Sequence, residues 1–369
     1  MKLRMSWMIA LTLLVLGSLS NALADCSRGQ LEATVDKYFE SLAAHSASML
    51  PLAEGARFTE NGVTKNVGEG FWRTAGKVLL KRTLIDTAKC SAAVIAVVEE
   101  PFDSKTVGQA GTGGFGGGMG APGGAPAGAA GGTMAKPKGM PAGAAGGTMA
   151  KPKGMPAGGA GGAMGAPGGA MAKPKVMPAE GTVRPILFAA RLKVEKDKVT
   201  EVETIVAREN EFMFNPEAVL ATKDQDWDTI LPPGKRAPRK VLADAANNYF
   251  ALFAEGSTVS VPFAEVCDRW ENGFLTTGQD HDCSPVTFRK RIGVSMDHGP
   301  RRVLVDTEKG ISIGFMMFGG GASANKDNPT GSGLVDCHMF RMRDGKVDLI
   351  HSIVGPRAQT MGWPLEPIE

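Results

Sequence analysis

The chain has 369 residues, 43% of them hydrophobic and 21% charged, with a formal net charge of +3. No acidic residue lies between Asp103 and Glu180, where seven lysines stand, and without those lysines, Lys2 and Arg4 the remaining sequence carries −6. The basic balance is therefore no argument for nucleic-acid binding, and no base-stacking aromatics interleave with arginine.

In chain order, Lys2 and Arg4 precede the apolar run Met8 to Leu16, which is too short to span a bilayer, and Ala22-Leu23-Ala24 follows as a small-residue cleavage site. Residues 1–24 read as a cleaved export signal, so the expected protein is secreted or periplasmic and not membrane-embedded. Leu31, Val35, Tyr38, Phe39 and Leu42 have helical spacing. A short helix is expected over Ala47 to Leu52, a hairpin over Arg57 to Val67 turning at Asn61-Gly62, and another helix over Phe71 to Leu79. Ala92 to Val98 and Arg184 to Val194 are apolar β-type runs on either side of a repetitive stretch rich in Gly, Ala, Pro, Met and Lys. That stretch, 104–181, cannot bury enough apolar surface to offset its ordering entropy and reads as a disordered loop. It interrupts a domain rather than separating two, since loop closure costs grow only logarithmically with length. The first domain is then 25–103 with 182–217, a connector covers 218–239, and the second domain is 240–369. In the latter, Leu242 to Ala254 reads as a helix and Cys267 to Thr277 as a hairpin. Val303–Asp306 and Ile311–Phe318 read as strands, and Leu334–Arg343 with Lys346–Val354 flank an Asp344-Gly345 turn.

The chain repeats itself weakly. Leu31 to Phe39 reads against Leu242 to Phe250, Glu60-Asn61-Gly62 against Glu271-Asn272-Gly273, and Lys198 to Val206 against Lys346 to Val354. Tyr38 to Asn61 and Tyr249 to Asn272 have the same spacing, and these are the only two tyrosines. The repeat fixes the folding unit as helix, hairpin and sheet. Of five cysteines, Cys267 and Cys283 flank the second hairpin and form the expected bridge. The pairing of Cys26, Cys90 and Cys337 stays open, with Cys337, in an apolar strand, read as a buried thiol.

The segment Val35 to Leu42, followed by Ala56-Arg57-Phe58-Thr59-Glu60-Asn61, resembles the first helix and first strand of ketosteroid isomerases and SnoaL-like cyclases, in the nuclear transport factor two-like superfamily. Leu50 to Ala53, Arg57 to Gly62, Gly68 to Trp72, Val97 to Glu100, Cys267 to Gly273, Val305-Asp306 and Gly362-Trp363 are similar to an uncharacterised family of secreted fungal and bacterial proteins. The resemblance implies an α+β fold of two cone-shaped domains, each a helix on a curved antiparallel sheet, packed as an internal pseudo-dimer that needs no further oligomerisation. In the isomerases a helix-one tyrosine donates to the oxyanion and a hairpin carboxylate moves the proton. Carried over, these roles fall on Tyr38 and on Glu60, although Asn61 aligns better with the catalytic carboxylate and one step along a strand reverses its face.

Candidate acid–base groups are Glu60, Tyr38, their repeats Glu271 and Tyr249, and Asp336, His338 and His351. The plainer reading packs the tyrosines as core aromatics and leaves the glutamates as solvated turn residues. Across the two-residue Asp344-Gly345 loop, His338 and His351 are expected directly opposite, sharing a face with Asp336. The other face, with Cys337, Met339 and Ile350, reads as the core side. The first-half equivalent of His351 is Glu203. Arg57, Phe58, Asn61, Trp72, Trp270 and Asn272 are the expected ligand-binding lining, with aromatic core and turn formation as the bland alternatives. No metal-ligand spacing, phosphate loop or dinucleotide fingerprint stands in a credible context, so no cofactor is expected. Two function classes follow. One is a cofactor-independent isomerase, cyclase, dehydratase or lyase for a small apolar or polyketide-like molecule. The other is a non-catalytic module that binds a hydrophobic small molecule or a protein partner.

Overall fold

The structure, a computed structural model, describes residues 26–105, 177–253, 256–284, 302–318 and 333–363. The stretch read as an export signal and the body of the glycine-rich insert lie outside the described residues. Helix α1 is Arg28–Ala43. Ser27 caps it, accepting from the Gln30 amide while the Gln30 side chain returns to the Ser27 N–H. Strands β1 Leu52–Glu60, β2 Val63–Lys65, β3 Val78–Asp86, β4 Ser91–Pro101, β5 Val183–Glu195 and β6 Lys198–Ala207 follow. A short helix α2, Pro216–Ala221, leads to α3, Arg239–Ala251. Strands β7 Phe263–Glu271, β8 Phe274–Leu275, β9 Arg302–Asp306, β10 Ile311–Phe318, β11 Gly333–Arg343 and β12 Lys346–Ala358 follow among the described residues.

The fold is α+β and dominated by two six-stranded sheets, ordered β2-β1-β6-β5-β4-β3 and β8-β7-β12-β11-β10-β9. The second order is the first advanced by six. In each sheet one neighbouring pair is parallel, β1 with β6 and β7 with β12, and the remaining pairs are antiparallel. Cys26–Cys90 and Cys267–Cys283 are disulfides, and Cys337 is a buried free thiol. Among the described residues no helix is long and apolar enough to cross a membrane.

Two of the expected helices are not helices. Ala47–Met49 is a single 3-10 turn and β1 already begins at Leu52. Gly70–Arg73 is likewise a 3-10 turn, after which the chain extends into β3. Their apolar residues are too few to sustain a helical face and are used as caps over the sheet instead.

Both faces of each sheet are covered. Ala92, Val94, Ala96 and Val98 of β4 join the cluster under α1, while Ala93, Ile95 and Val97 join a cluster shared with Ile311, Ile313 and Phe315 of the other sheet. A third cluster lies between α3 and the second sheet, around Tyr249, Phe250, Phe340 and Ile350. Burial on both sides explains why β4 reads as a continuous apolar run rather than an alternation.

The contacts between the halves are reciprocal. Asp86 accepts from the Val305 amide at 2.9 Å, and Asp306 accepts from the Ile85 amide at 3.1 Å. Arg239, first in α3, donates to Asp86, and Arg28, first in α1, pairs with Asp306. Lys89 reaches the Val303 carbonyl and Lys309 the Thr83 carbonyl. The segment following each sheet crosses the hairpin of the other. A Cβ on Gly62 would lie 1.9 Å from the Thr360 carbonyl oxygen, and one on Gly273 would lie 2.1 Å from that of Asn215. Both glycines have positive φ, so each hairpin tip needs glycine for conformation and for clearance.

Candidate functional site

The ladders set the two halves in register. Across the first sheet one row runs Glu60, Thr204, Ala190, Val94, Thr83. Across the second, the corresponding row runs Glu271, Ser352, His338, Gly314, Val303. Two residues away, Phe58 corresponds to Arg269 and Phe188 to Asp336. These side chains face the helix of their own half.

In the second half this face is polar and buried. His338 Nδ1 lies 3.1 Å from Asp336 Oδ1, and its Nε2 lies 3.7 Å from Glu271 Oε1. Neither contact has hydrogen-bond geometry, and the His338 ring nitrogens have no hydrogen-bond partner among the described residues. Arg269 stands 3.8 Å from Glu271 and donates at 3.4 Å to the Tyr249 hydroxyl and at 2.8 Å to Thr276. The His338 ring packs 5.3 Å from Tyr249 and 5.4 Å from Phe250, centroid to centroid. Asp336, Glu271 and His338 are each at most 4% exposed.

The electrostatics follow from that burial. Burial alone would raise the Glu271 carboxyl, but Arg269 and His338 outweigh it and hold Glu271 below the usual range. Burial pushes the Asp336 carboxyl up, opposed by His338 and reinforced by Glu271. Burial disfavours the His338 imidazolium, yet the two carboxylates raise it to about 9. Burial also lifts the Tyr249 phenol well above its ordinary value, with Arg269 opposing. Near neutral pH the group is thus a protonated imidazole between two carboxyls, beside a protonated phenol.

The first half fills the same face with rings. Tyr38 packs edge-on against Trp72 at 5.3 Å and stacks on Phe188 at 6.5 Å, and Phe58 also meets Trp72. Cys283 stands at the same spacing from its hairpin asparagine as Trp72 does from Asn61, so a half-cystine takes the place of the largest side chain of the first face. The Glu60 carboxylate accepts from the Phe71 amide at 2.6 Å, with Lys65 at 3.7 Å, and so caps the 3-10 turn. Burial and the Glu60 charge raise the Tyr38 phenol well above its usual value.

His338 and His351 do not share a face. The register pairs His338 with Ser352 and Met339 with His351, because a bulge between Arg341 and Met342 shifts the β11–β12 ladder by one residue. A one-residue slip turns every later side chain over. Asp336 and His338 therefore face α3 together with Ile350, while His351 faces the other sheet with Cys337 and Met339. The first sheet carries a bulge at the matching place, between Lys193 and Val194.

His351 and Glu203, equivalent in register, both belong to the seam between the sheets. Arg302 of β9 and Arg191 grip Glu203, with Nε–Oε2 distances of 2.7 and 2.8 Å. Burial would raise Glu203, but Arg302 and Arg191 keep it below the ordinary carboxylate range. Arg82 of β3 lies 3.0 Å from His351 Nδ1, and His351 Nε2 lies 2.7 Å from Gln225 Oε1. Since a guanidinium only donates, Nδ1 accepts and Nε2 carries the proton. Burial, then Arg82 and Arg341, push His351 well below its usual pKa, so it is neutral.

Asn61 and Asn272 are backbone brackets rather than ligand-binding groups. Each adopts positive φ, donates to the carbonyl of Val206 or Val354, and accepts from the same residue's amide. Arg57 donates to the Gly362 carbonyl and covers Trp363 at 4.3 Å. Trp270 stacks 6.0 Å from His351 and lines an open groove of 480 Å³ with Ala218, Ala221, Thr222, Asp224 and Gln225. Among the described residues no group of three or more His, Cys, Asp or Glu is disposed to hold a metal ion.

Sequence reasoning missed Arg269. It lies two positions before Glu271 in a strand, so the alternation of faces placed it beside the glutamate it accompanies.

The family model for a domain of unknown function, DUF8021, matches residues 24–121 and 235–354. No curated protein matches the chain. With more than half of its length matched, in one segment from each half, the chain belongs to the DUF8021 family.

Proposed function

We propose that the protein is an exported, cofactor-independent acid–base enzyme, built as two cone-shaped SnoaL-like domains in an internal pseudo-dimer, with its chemistry in the second cone. The observation that carries this reading is the buried set Tyr249, Arg269, Glu271, Asp336 and His338, standing where the first half has Tyr38, Phe58, Glu60, Phe188 and Ala190. Perturbed ionisable groups concentrate where proton transfer is done. The reciprocal Asp86 and Asp306 contacts support the pseudo-dimer, since a two-fold interface pairs i with j and j with i. Two disulfides suit an oxidising compartment.

The reaction class is isomerisation, cyclisation, dehydration or elimination on a small apolar or polyketide-like molecule. Asp336, raised by burial, is the general base for a proton next to a carbonyl. The Tyr249 hydroxyl, with Arg269 donating to its oxygen, is free to donate to the developing oxyanion. His338 and Glu271 hold Asp336 in place and balance the charges around it.

The test is deuterium exchange. A panel of small apolar ketones is incubated with the full chain in deuterium oxide, and exchange next to the carbonyl is followed by NMR. Exchange is expected to fall by at least ~100-fold in Asp336→Asn and to persist in Glu60→Gln. The reverse pattern would move the chemistry to the first half. The groove beside Trp270 favours a second reading, a non-catalytic module for a hydrophobic ligand or partner, and panel compounds that bind without exchange would support it.

A further inference from the structure

The two sides of the seam are built alike and filled differently. By register, Arg82 corresponds to Arg302 and His351 to Glu203. Arg302 gives two hydrogen bonds to the Glu203 carboxylate. Arg82, only 3% exposed, meets uncharged acceptors instead: His351 Nδ1 at 3.0 Å, and the carbonyl and hydroxyl oxygens of Thr222 at 2.8 and 2.7 Å. Among the described residues it makes no ion pair, since Asp228, the carboxylate that acts on it, is bonded to Lys309 and Asp348 is taken by Arg341. Burial brings the guanidinium down to about 10, with Asp228 opposing and Arg341 adding.

The tryptophans show the same contrast. Trp363 stands three places after Thr360, which crosses the first hairpin, and its indole N–H donates to Thr59 at 2.7 Å. Three places after Asn215, which crosses the second hairpin, stands Ala218, and beside it lies the groove of 480 Å³. Thr59 pairs with Glu203 across the first sheet as Trp270 pairs with His351 across the second. Trp270 lines the groove, and its indole N–H is buried without a partner. Gln225 also lines it. Its carbonyl oxygen accepts from His351 and Trp227, and its amide donor group has no partner among the described residues. Buried donors are ordinarily paired, and a buried cation is ordinarily compensated, so the second side lacks an acceptor and a negative charge that the first side has.

We propose that this groove binds a small apolar carboxylic acid in its ionised form, the carboxylate accepting from Trp270 and Gln225 in front of Arg82 and the apolar body lying against Ala218 and Ala221. The inference rests on the second reading above, the groove as a ligand site, and is independent of the chemistry proposed under α3. It narrows a hydrophobic ligand to an apolar acid. A neutral carbonyl compound satisfies the donors but leaves Arg82 uncompensated, and a cation meets Arg82 with like charge. Asp224, also on the groove, is exposed, so solvent screens it and it weakens the attraction without reversing it.

Benzoate and benzamide separate the charge from the ring and the carbonyl. Both are titrated into the full disulfide-bonded chain near pH 7, with affinity read by calorimetry and the Trp270 indole N–H signal, assigned through Trp270→Phe, followed by NMR. Benzoate is expected to move that signal and to bind at least about fivefold more tightly, because hydrogen bonds to a charged acceptor are the stronger ones. The preference is expected to vanish in His351→Glu, which gives Arg82 the carboxylate that Glu203 gives Arg302. Asp224→Asn, at an exposed position, keeps a reading available if that variant does not fold, and should tighten benzoate about twofold while leaving benzamide unchanged. Equal binding of the two compounds at Trp270 overturns the carboxylate assignment and leaves the groove as a ligand site. A preference that survives in folded His351→Glu overturns the part given to Arg82. If neither compound moves the Trp270 signal, the groove is not a ligand site and the second reading falls with the inference, while ketone exchange still decides the first.

Discussion

The two halves agree at their hairpins and at their seam, and differ on the sheet faces beneath their helices. Asn61 and Asn272 make the same backbone bracket, and Asp86 and Asp306 exchange the same amides. Yet Phe58, Phe188 and Ala190 face Arg269, Asp336 and His338 across the repeat. Duplication thus kept the parts that hold the halves together and released the parts that look inward. A face packed with rings needs no partner to be stable, whereas a face lined with buried ionisable groups accepts a stability cost that a function can justify.

The largest expected effect breaks the seam. Glu203→Ala leaves Arg191 and Arg302 buried without their shared carboxylate and should cost about 3–5 kcal/mol. His351→Ala, at the equivalent position, removes a neutral ring and should cost only about 1–3 kcal/mol. Urea unfolding with both disulfides intact measures the difference, and equal costs would remove the asymmetry between the two seam positions.

The disulfides come next. They close loops with sequence separations of 64 and 16 residues. In the chain-entropy model, loss of Cys26–Cys90 should cost about 4 kcal/mol and loss of Cys267–Cys283 about 3 kcal/mol. Paired Cys→Ser variants compared by thermal unfolding test the order, and a dearer second bridge would mean that it also holds the second cone in shape.

The two histidines then give opposite pH dependences. His338 is raised to about 9, so its contribution is fully present below pH 6.5 and is lost as pH rises through about 9. The size is roughly 3 kcal/mol. His351 is depressed from 6.5, so the unfolded chain takes up its proton first and stability falls as pH drops below that value. Stability profiles of His338→Gln and His351→Gln should flatten the alkaline and acid limbs respectively, and loss of the opposite limb in either variant would reverse the assignments.

The smallest expected effect sharpens the comparison most. Converting the second half toward the first, with Arg269→Phe, Glu271→Gln, Asp336→Phe and His338→Ala together so that no buried charge is left unpaired, should leave stability within about 1–2 kcal/mol of the native protein, because replacing a whole buried ionic group is often neutral. Ketone exchange should disappear. A folded variant that retains exchange would place the chemistry elsewhere.

Much of the frame was legible in the sequence. Asn-Gly and Asp-Gly pairs marked the hairpins, the spacing of Leu31, Val35 and Tyr38 marked α1, and two cysteines flanking one hairpin marked its bridge. The site was less legible for a definite reason. A bulge between Arg341 and Met342 leaves no residue signature, and it reversed the face of every residue before it in β11 relative to β12. Polarity could not correct the error, because both faces of the sheet are buried and neither reads as the wet one. Glu60 and Glu271 are each followed by Asn-Gly, and what tells them apart is the residue two places earlier, Phe58 or Arg269, together with Phe71 above one and His338 beside the other.

The crossing of the segments that follow each sheet sets an order in time. Thr59 and Arg57, near the start of the chain, receive Trp363 and Gly362 from its far end. A chain delivered from its N-terminus can pair β1 with β2 early, but the cover for that hairpin arrives with the last residues. Contacts over such separations slow folding. Until Gly362 and Trp363 have been made, the first hairpin stands open, and a variant lacking these two residues would leave the Arg57 and Thr59 side of β1, rather than the region of the deletion, exposed.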